Sequence, residues 1–229
     1  NDIWHIVQLP AVEAAIVSLD PNDGAVRALV GGFDFQKNKF NHVTQAWRQP
    51  GSSFKPFIYS AALEKGFTPA TIINDGPLSF NANQTGSQLW EPKNFDGKYD
   101  GPVRMRTALV KSKNLVSIRI LQAIGVHYAQ DYISRFGFDA DRHPAYLPMA
   151  LGSGSVTPMQ MAVGYSVFAN GGYRIAPYFI KKIEDEKGNV LEQFQPVSTS
   201  NGAKRVIDPR NAFIMTNMMQ DVINFGTAV

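Results

Sequence analysis

Two serines and a lysine stand together in Gln49-Pro50-Gly51-Ser52-Ser53-Phe54-Lys55-Pro56. A serine hydroxyl is a poor nucleophile until a base takes its proton, and a lysine serves as that base where a dry surrounding keeps its amine near neutrality. Ser52 and Lys55 are three residues apart, and positions i and i+3 share a helix face. At a helix start, Ser52 would also present an unpaired backbone N–H where the helix dipole favours an oxyanion. A lone Ser-x-x-Lys is a weak signal, and the bland alternative is that Ser52 or Ser53 merely caps the helix. A second group sharpens the choice. Ser112-Lys113-Asn114 offers a hydroxyl to pass a proton to a leaving amine and a carboxamide to hydrogen-bond a substrate amide, both roles of acyl transfer. A rival Ser-x-Asn, Ser79-Phe80-Asn81, has no helical start near it, while the alternative for Ser112 is a polar break between helices.

These groups need elements to hold them. Phe54, Phe57, Ile58, Ala61 and Ala62 recur at helical spacing up to Gly66, and Pro56 is tolerated only in a first turn, so a helix begins close to Ser52. Upstream, the apolar segments Ala14 to Leu19 and Ala25 to Val30 flank Asp20-Pro21-Asn22-Asp23-Gly24, a hairpin signal. Gly31 to Pro50 reads as loop. Thr68 to Pro102, rich in Gly, Asn, Pro and Asp, including Asn81 to Gly86 and Asn94 to Gly101, reads as an ordered irregular excursion. Helical periodicity runs from Met105 to Ile124, broken at Lys111-Ser112-Lys113-Asn114, and again from Tyr128 to Phe136. Thr157 caps a helix over Pro158 to Ala169, with proline at its first position. Ile180 to Asp185 and Asn189 to Phe194 form a second hairpin, and a last helix spans Pro209 to Asn224.

Composition narrows the function classes. A chain of 229 residues, 44% hydrophobic and 18% charged, buries a substantial core as one large or two small domains. Its formal charge of +3 comes from scattered basic residues, which gives nucleic-acid binding little support. The lack of cysteine excludes disulfides and thiol catalysis. His5, His42, His127 and His143 show no ligand spacing, so neither metal nor cofactor is expected. No apolar run reaches the ~18 to 20 residues of a membrane span. Gly152-Ser153-Gly154-Ser155 lacks the lysine of a phosphate loop and reads as a turn, and Met159, Met161, Tyr165 and Phe168 read as core packing. Trp47, Trp90 and Tyr99 either line a peptide groove or pack locally; Lys111 and Lys113 form either a solvated face or an attraction for an anionic peptide.

Taken together, RQPGSSFKPFIYSAALEKGFTPAT, RTALVKSKNLVSIRIL and ALGSGSVTPMQMAVGYSVFANGGYRIAP resemble the transpeptidase domain of class A, bifunctional penicillin-binding proteins. The lead-in WHIVQLPAVEAAIVSLDPNDGAVRALVGGFDF is similar to that of Gram-negative members. The resemblance implies an α/β fold of the serine β-lactamase and penicillin-binding (DD-peptidase) type, an antiparallel sheet flanked by helices. It implies that Ser52 attacks the carbonyl between the terminal D-alanines of a peptidoglycan stem peptide, Lys55 is the base, Ser112 passes the proton to the departing amine, and Asn114 binds the donor's amide. An amine of a neighbouring stem peptide would then form the cross-link, and β-lactam antibiotics would acylate Ser52. The implied setting is the periplasmic face of the bacterial cytoplasmic membrane, with the anchor and a glycosyltransferase domain in a longer parent chain. The family's Lys-Thr-Gly strand should follow the last helix, yet Gly226-Thr227 has no basic residue before it. Residues 1–229 are therefore expected to be the N-terminal larger part of such a domain, without that strand and the strands after it. A D,D-carboxypeptidase or β-lactamase of the same superfamily is the near alternative, and a non-catalytic penicillin- or peptide-binding module the distant one.

Overall fold

The computed structural model describes residues 8, 12–82 and 88–229; His5 and most of the Asn81 to Gly86 stretch lie outside them. At its centre is helix α1, Lys55–Glu64, in which every residue from Lys55 to Ala62 is buried. A helix covered on all sides belongs in the middle of a fold rather than on its surface. Around it lie α2 (Met105–Val110), α3 (Asn114–Ile124), α4 (Val126–Ser134), α5 (Pro158–Ala169) and α6 (Pro209–Phe225).

The polar side chains that α1 carries inward are satisfied by its neighbours. Ser60 Oγ donates to Asn211 Oδ1 of α6 at 2.8 Å and lies 2.8 Å from the Tyr132 hydroxyl of α4, while the Tyr59 hydroxyl meets Ser117 Oγ of α3 at 3.2 Å. Such buried groups are tolerated only when paired. The apolar side is an aromatic cluster: the Phe57 ring lies 4.8 Å from Phe138, 5.0 Å from Phe136, 5.3 Å from Tyr165 and 5.4 Å from Phe168. Edge-to-face geometry dominates, as the ring quadrupoles favour. Phe168 is core as its spacing predicts, and Met161 and Tyr165 pack half-buried against it.

The strands pair as antiparallel two-stranded ladders. β1 (Ile16–Leu19) and β2 (Val26–Val30) form the expected first hairpin, and β6 (Lys182–Glu184) and β7 (Val190–Gln193) the second. β5 (Tyr173–Arg174) pairs with β8 (Lys204–Arg205). The excursion after α1 is more regular than its composition suggests. β3 (Ile72–Asp75) pairs with β4 (Gly101–Arg104), with Asp75 opposite Gly101 and Asn74 opposite Pro102. Pro102 disguises β4, because proline is excluded from central strands, but a two-stranded ladder consists of edges and accepts it.

The helix boundaries follow the local signals. Thr157 Oγ1 accepts from the Gln160 N–H and Gln160 Oε1 from the Thr157 N–H, a complete capping box at the start of α5. The long helical pattern from Met105 breaks at Lys111 to Lys113, giving α2 and α3. Among the described residues no helix is long and apolar enough to cross a membrane.

Since Phe57 anchors the cluster that α5 and the segment after α4 share with α1, Phe57→Ala is expected to lower unfolding free energy by about 3–5 kcal/mol. Urea titration followed by far-UV circular dichroism measures this.

Candidate active site

Ser52 lies in a 3₁₀ turn, Gly51–Phe54, that runs directly into α1 at Lys55. The Lys55 N–H donates to Ser52 O, and residues i and i+3 of such a turn eclipse, so the two side chains share one face. Neither serine caps the helix. The preceding positions are Pro50 and Phe54, without a side-chain cap, and Ser53 Oγ instead donates to Pro50 O at 2.6 Å. Ser52 is exposed, and its hydroxyl has no protein partner among the described residues.

The turn is braced from two sides. Arg48 and Val156 exchange backbone hydrogen bonds at 3.0 Å, and the Gly51 N–H donates to Gly152 O at 3.3 Å. Gly152 has φ +71, and a β-carbon there would collide with the Gly51 carbonyl. The glycine-rich run is thus a turn, as read, and also the buttress of the serine. Behind the turn, Phe54 stacks on the buried His143 ring at 4.8 Å, inclined by 9°. Burial pushes His143 down to about 4, so at neutral pH it packs as an uncharged ring.

Lys55, 1% exposed, reaches from α1 to the Ser112–Asn114 turn between α2 and α3. Its Nζ donates to Ser112 O at 2.6 Å, to Ser112 Oγ at 3.0 Å and to Asn114 Oδ1 at 2.8 Å. Three of the four residues singled out in the sequence, Lys55, Ser112 and Asn114, therefore meet in one place, and Ser52 stands one turn before Lys55 without a side-chain hydrogen bond to them. The Ser79-Phe80-Asn81 rival does not: Phe80 pairs with Trp90 in a separate bridge, ring on ring at 5.3 Å. Trp47 packs under the Arg142 guanidinium at 3.7 Å, and Tyr99 is exposed.

Ser112 carries the one positive φ of a non-glycine among the described residues, +52. Its N–H donates to Leu109 O and that of Lys113 to Ala108 O, both at 2.9 Å. This pair of bonds is a Schellman ending to α2, with Ser112 at the position usually given to glycine. Serine is strained there by about 1 kcal/mol, yet the geometry turns its carbonyl and hydroxyl together toward Lys55. A glycine would supply the turn but not the hydroxyl.

Burial lowers Lys55 from the ordinary 10.5 to about 8. A sizeable fraction of neutral amine is then present near pH 7 to 8. Neutral Nζ has two N–H donors and one lone pair: Ser112 O and Asn114 Oδ1 take the donors, leaving the lone pair for a hydroxyl proton. Asn114 keeps spare capacity too, since its Nδ2 donates one hydrogen to Lys93 O at 2.9 Å and retains the other.

Lys113 differs from both expectations for it. It is 3% exposed, and its ammonium faces Asp75 and Asp100 at 3.2 Å and Asp96 at 3.4 Å. Burial works against its charge, but the Asp100 and Asp75 carboxylates prevail and hold it above the usual lysine range. It is neither a solvated face nor free to attract a ligand; Lys111, 3.1 Å from Asp100, remains on the surface. Two residues of the site have no local signature. Asn94 Oδ1 accepts the Asn114 N–H at 2.9 Å, capping α3 from 20 positions upstream, and Asp75 in turn holds Asn94. The only hint was an unusually long, ordered excursion.

Among the described residues no histidine, aspartate and glutamate group is arranged to hold a metal. A cavity of about 800 Å³ at the far end of α1, lined by Leu63, Phe67, Arg135, Ile207 and Arg210, contains none of the site groups.

The penicillin binding protein transpeptidase domain family matches residues 14–229 of the chain. The chain is 56% identical over 225 residues to "Penicillin-binding protein 1A" of Neisseria lactamica, covering 98% of this chain and 28% of that protein. It is 44% identical to "Penicillin-binding protein 1A" of Pseudomonas aeruginosa, covering 97% of the chain and 32% of that protein. The chain thus spans about a third or less of the length of these curated relatives. The crystal structure of Penicillin-Binding Protein 1A from Haemophilus influenzae superposes with a TM-score of 0.92 at 38% identity, over 99% of this chain and 37% of that one.

The depressed Lys55 predicts a pH signature. Between about 8 and 10.5 the folded state binds fewer protons at this site than the unfolded state, so its contribution to stability rises with pH across that window. Subtracting the unfolding free energy of Lys55→Met from that of the wild type should give a difference that climbs by up to about 3 kcal/mol over those pH values and is flat below them. Denaturant titrations at a series of pH values provide the curve.

Proposed function

Since the chain belongs to the penicillin-binding protein transpeptidase family, we propose that it performs D,D-transpeptidation of peptidoglycan stem peptides through an acyl-enzyme on Ser52. The observation that supports this best is the convergence of Ser112 O, Ser112 Oγ and Asn114 Oδ1 on the buried Lys55 amine, one turn from the exposed Ser52. Neutral Lys55 takes the Ser52 proton as Oγ bonds to the carbonyl carbon of the penultimate D-alanine. The proton passes by way of Ser112 Oγ to the nitrogen of the terminal D-alanine as the peptide bond breaks and that residue leaves. Attack on the ester by an amine of a second stem peptide forms the cross-link and returns Ser52; water in its place would make the same site a carboxypeptidase.

Asn114 uses its remaining Nδ2 hydrogen to align a carbonyl of the donor. A β-lactam enters by the same route: its strained amide opens onto Ser52, and the amine it releases stays tethered to the adduct. By this reading the catalytic unit acts at the periplasmic face of the cytoplasmic membrane, in a longer protein that also carries a glycosyltransferase.

Two measurements on the full-length protein test the assignment. Intact mass spectrometry with a penicillin should show one adduct, mapped to the peptide containing Ser52 and absent from Ser52→Ala; an adduct that survives this change would overturn the role of Ser52. Ser112→Gly should unfold at the same or a higher temperature, since strain at the left-handed position is relieved, yet acylate about 100-fold more slowly. Undiminished acylation would remove Ser112 from the proton path.

A further inference from the structure

Behind the Ser112–Asn114 turn lies a buried charge cluster that touches neither Ser52 nor Lys55. Its centre is Asp75, the last residue of β3, which has no exposed surface. Its Oδ1 accepts from Asn94 Nδ2 at 2.7 Å; its Oδ2 accepts from the Asp100 N–H at 3.0 Å and faces Lys113 Nζ at 3.2 Å. Each of two arms leaves this carboxylate and ends beside an acceptor of Lys55. One runs through Asn94, whose Oδ1 takes the N–H of Asn114 at 2.9 Å and of Leu115 at 3.4 Å. The other runs through Lys113, the residue between Ser112 and Asn114.

We propose that Asp75 is a positioning residue of the acyl-transfer site, setting through Asn94 and Lys113 the turn that aims Ser112 and Asn114 at Lys55. The proposal rests on the acyl-transfer reading given above. A carboxylate is required by the direction of the bonds. Three donors converge on Asp75, two of them on one oxygen, so a carboxamide would have to turn its own N–H toward N–H groups or leave a buried donor unpaired. The turn it supports is strained at Ser112, φ +52, and a strained conformation persists only where its surroundings over-determine it. The Lys113 ammonium is tied down beside this turn, which leaves Lys55 as the lysine amine that meets Ser112 and Asn114. Asp96 and Asp100 also contact Lys113 but are far more exposed, and alone they hold it less firmly.

Single-turnover acylation by a chromogenic β-lactam, in the full-length protein, separates a positioning role from general stabilisation. For Asp75→Asn, the acylation rate constant at saturating β-lactam should fall about 10- to 100-fold while the concentration giving half-saturation stays near the wild-type value. The exchanged pair, Asp75→Asn with Asn94→Asp, returns a carboxylate to the cluster and to the N-terminus of α3, where negative charge is favoured. It should regain part of the rate, since an aspartate at position 94 cannot make the bond that Asn94 Nδ2 donates to Lys98 O at 2.8 Å. Wild-type acylation by Asp75→Asn overturns the proposal, and so does an exchanged pair that acylates no faster than Asp75→Asn. Should the single variant not fold, the exchanged pair decides alone. Absence of any adduct on wild-type Ser52 overturns the acyl-transfer reading itself.

Discussion

A lysine amine removed from water is tolerated only if its remaining polarity is matched by acceptors, and the geometry of the whole site follows from meeting that condition at Lys55. Burial drives the amine toward neutrality, which gives it the character of a base; Ser112 and Asn114 keep it from being an unpaired polar group. The two requirements pull apart. Full desolvation without partners would expel the side chain or the helix that carries it, and full solvation would leave an ammonium with no affinity for a hydroxyl proton. The fold resolves the conflict by placing Lys55 at the first position of its most buried helix and bringing a polar turn from 57 residues away onto its tip.

That arrangement explains features which look wasteful as stability devices. Ser112 occupies a left-handed position where glycine would be more stable, and a buried carboxylate at Asp75 faces a buried ammonium at Lys113. Ion pairs of this kind roughly break even against apolar packing, because desolvating two charges offsets their attraction. Their value lies in direction: charged and hydrogen-bonded groups fix an angle where methyl groups would only fill a volume. The aromatic cluster around Phe57 has the complementary task, supplying the apolar burial that lets a helix start be both rigid and partly polar.

The serine side is built on opposite terms. Ser52 is exposed, stands on a tight 3₁₀ turn, and is held by backbone contacts from Arg48 with Val156 and from Gly51 with Gly152. Backbone bracing fixes the place of the turn that carries Ser52 and leaves the hydroxyl uncommitted. In the roles proposed for them, Ser52 needs access and Lys55 needs dryness, and the boundary between solvent and core passes between residues 52 and 55.

Much of this was legible from local chemistry. The spacing of Ser52 and Lys55, the polar break at Ser112 to Asn114, the Thr157 cap and the Asp-Gly hairpin are each decided by residues within one or two turns of one another, so periodicity and turn propensity suffice to find them. Local signals could not tell a capping serine from an exposed one, nor assign Lys113, because both depend on what approaches from elsewhere. β3 and β4 escaped notice because short edge strands with Pro102 and Gly101 lack a pattern of their own and exist through their pairing. Asn94 and Asp75 were invisible for the same reason: an asparagine in a polar loop becomes a helix cap, and an aspartate at a strand end becomes a buried hub, only once the chain has closed 20 to 40 residues of separation. The residue types that could do chemistry were thus set along the sequence. Which of them meet, how dry they are and which way they face were decided by tertiary structure, since burial and hydrogen-bond direction belong to the surroundings of a residue and not to its identity.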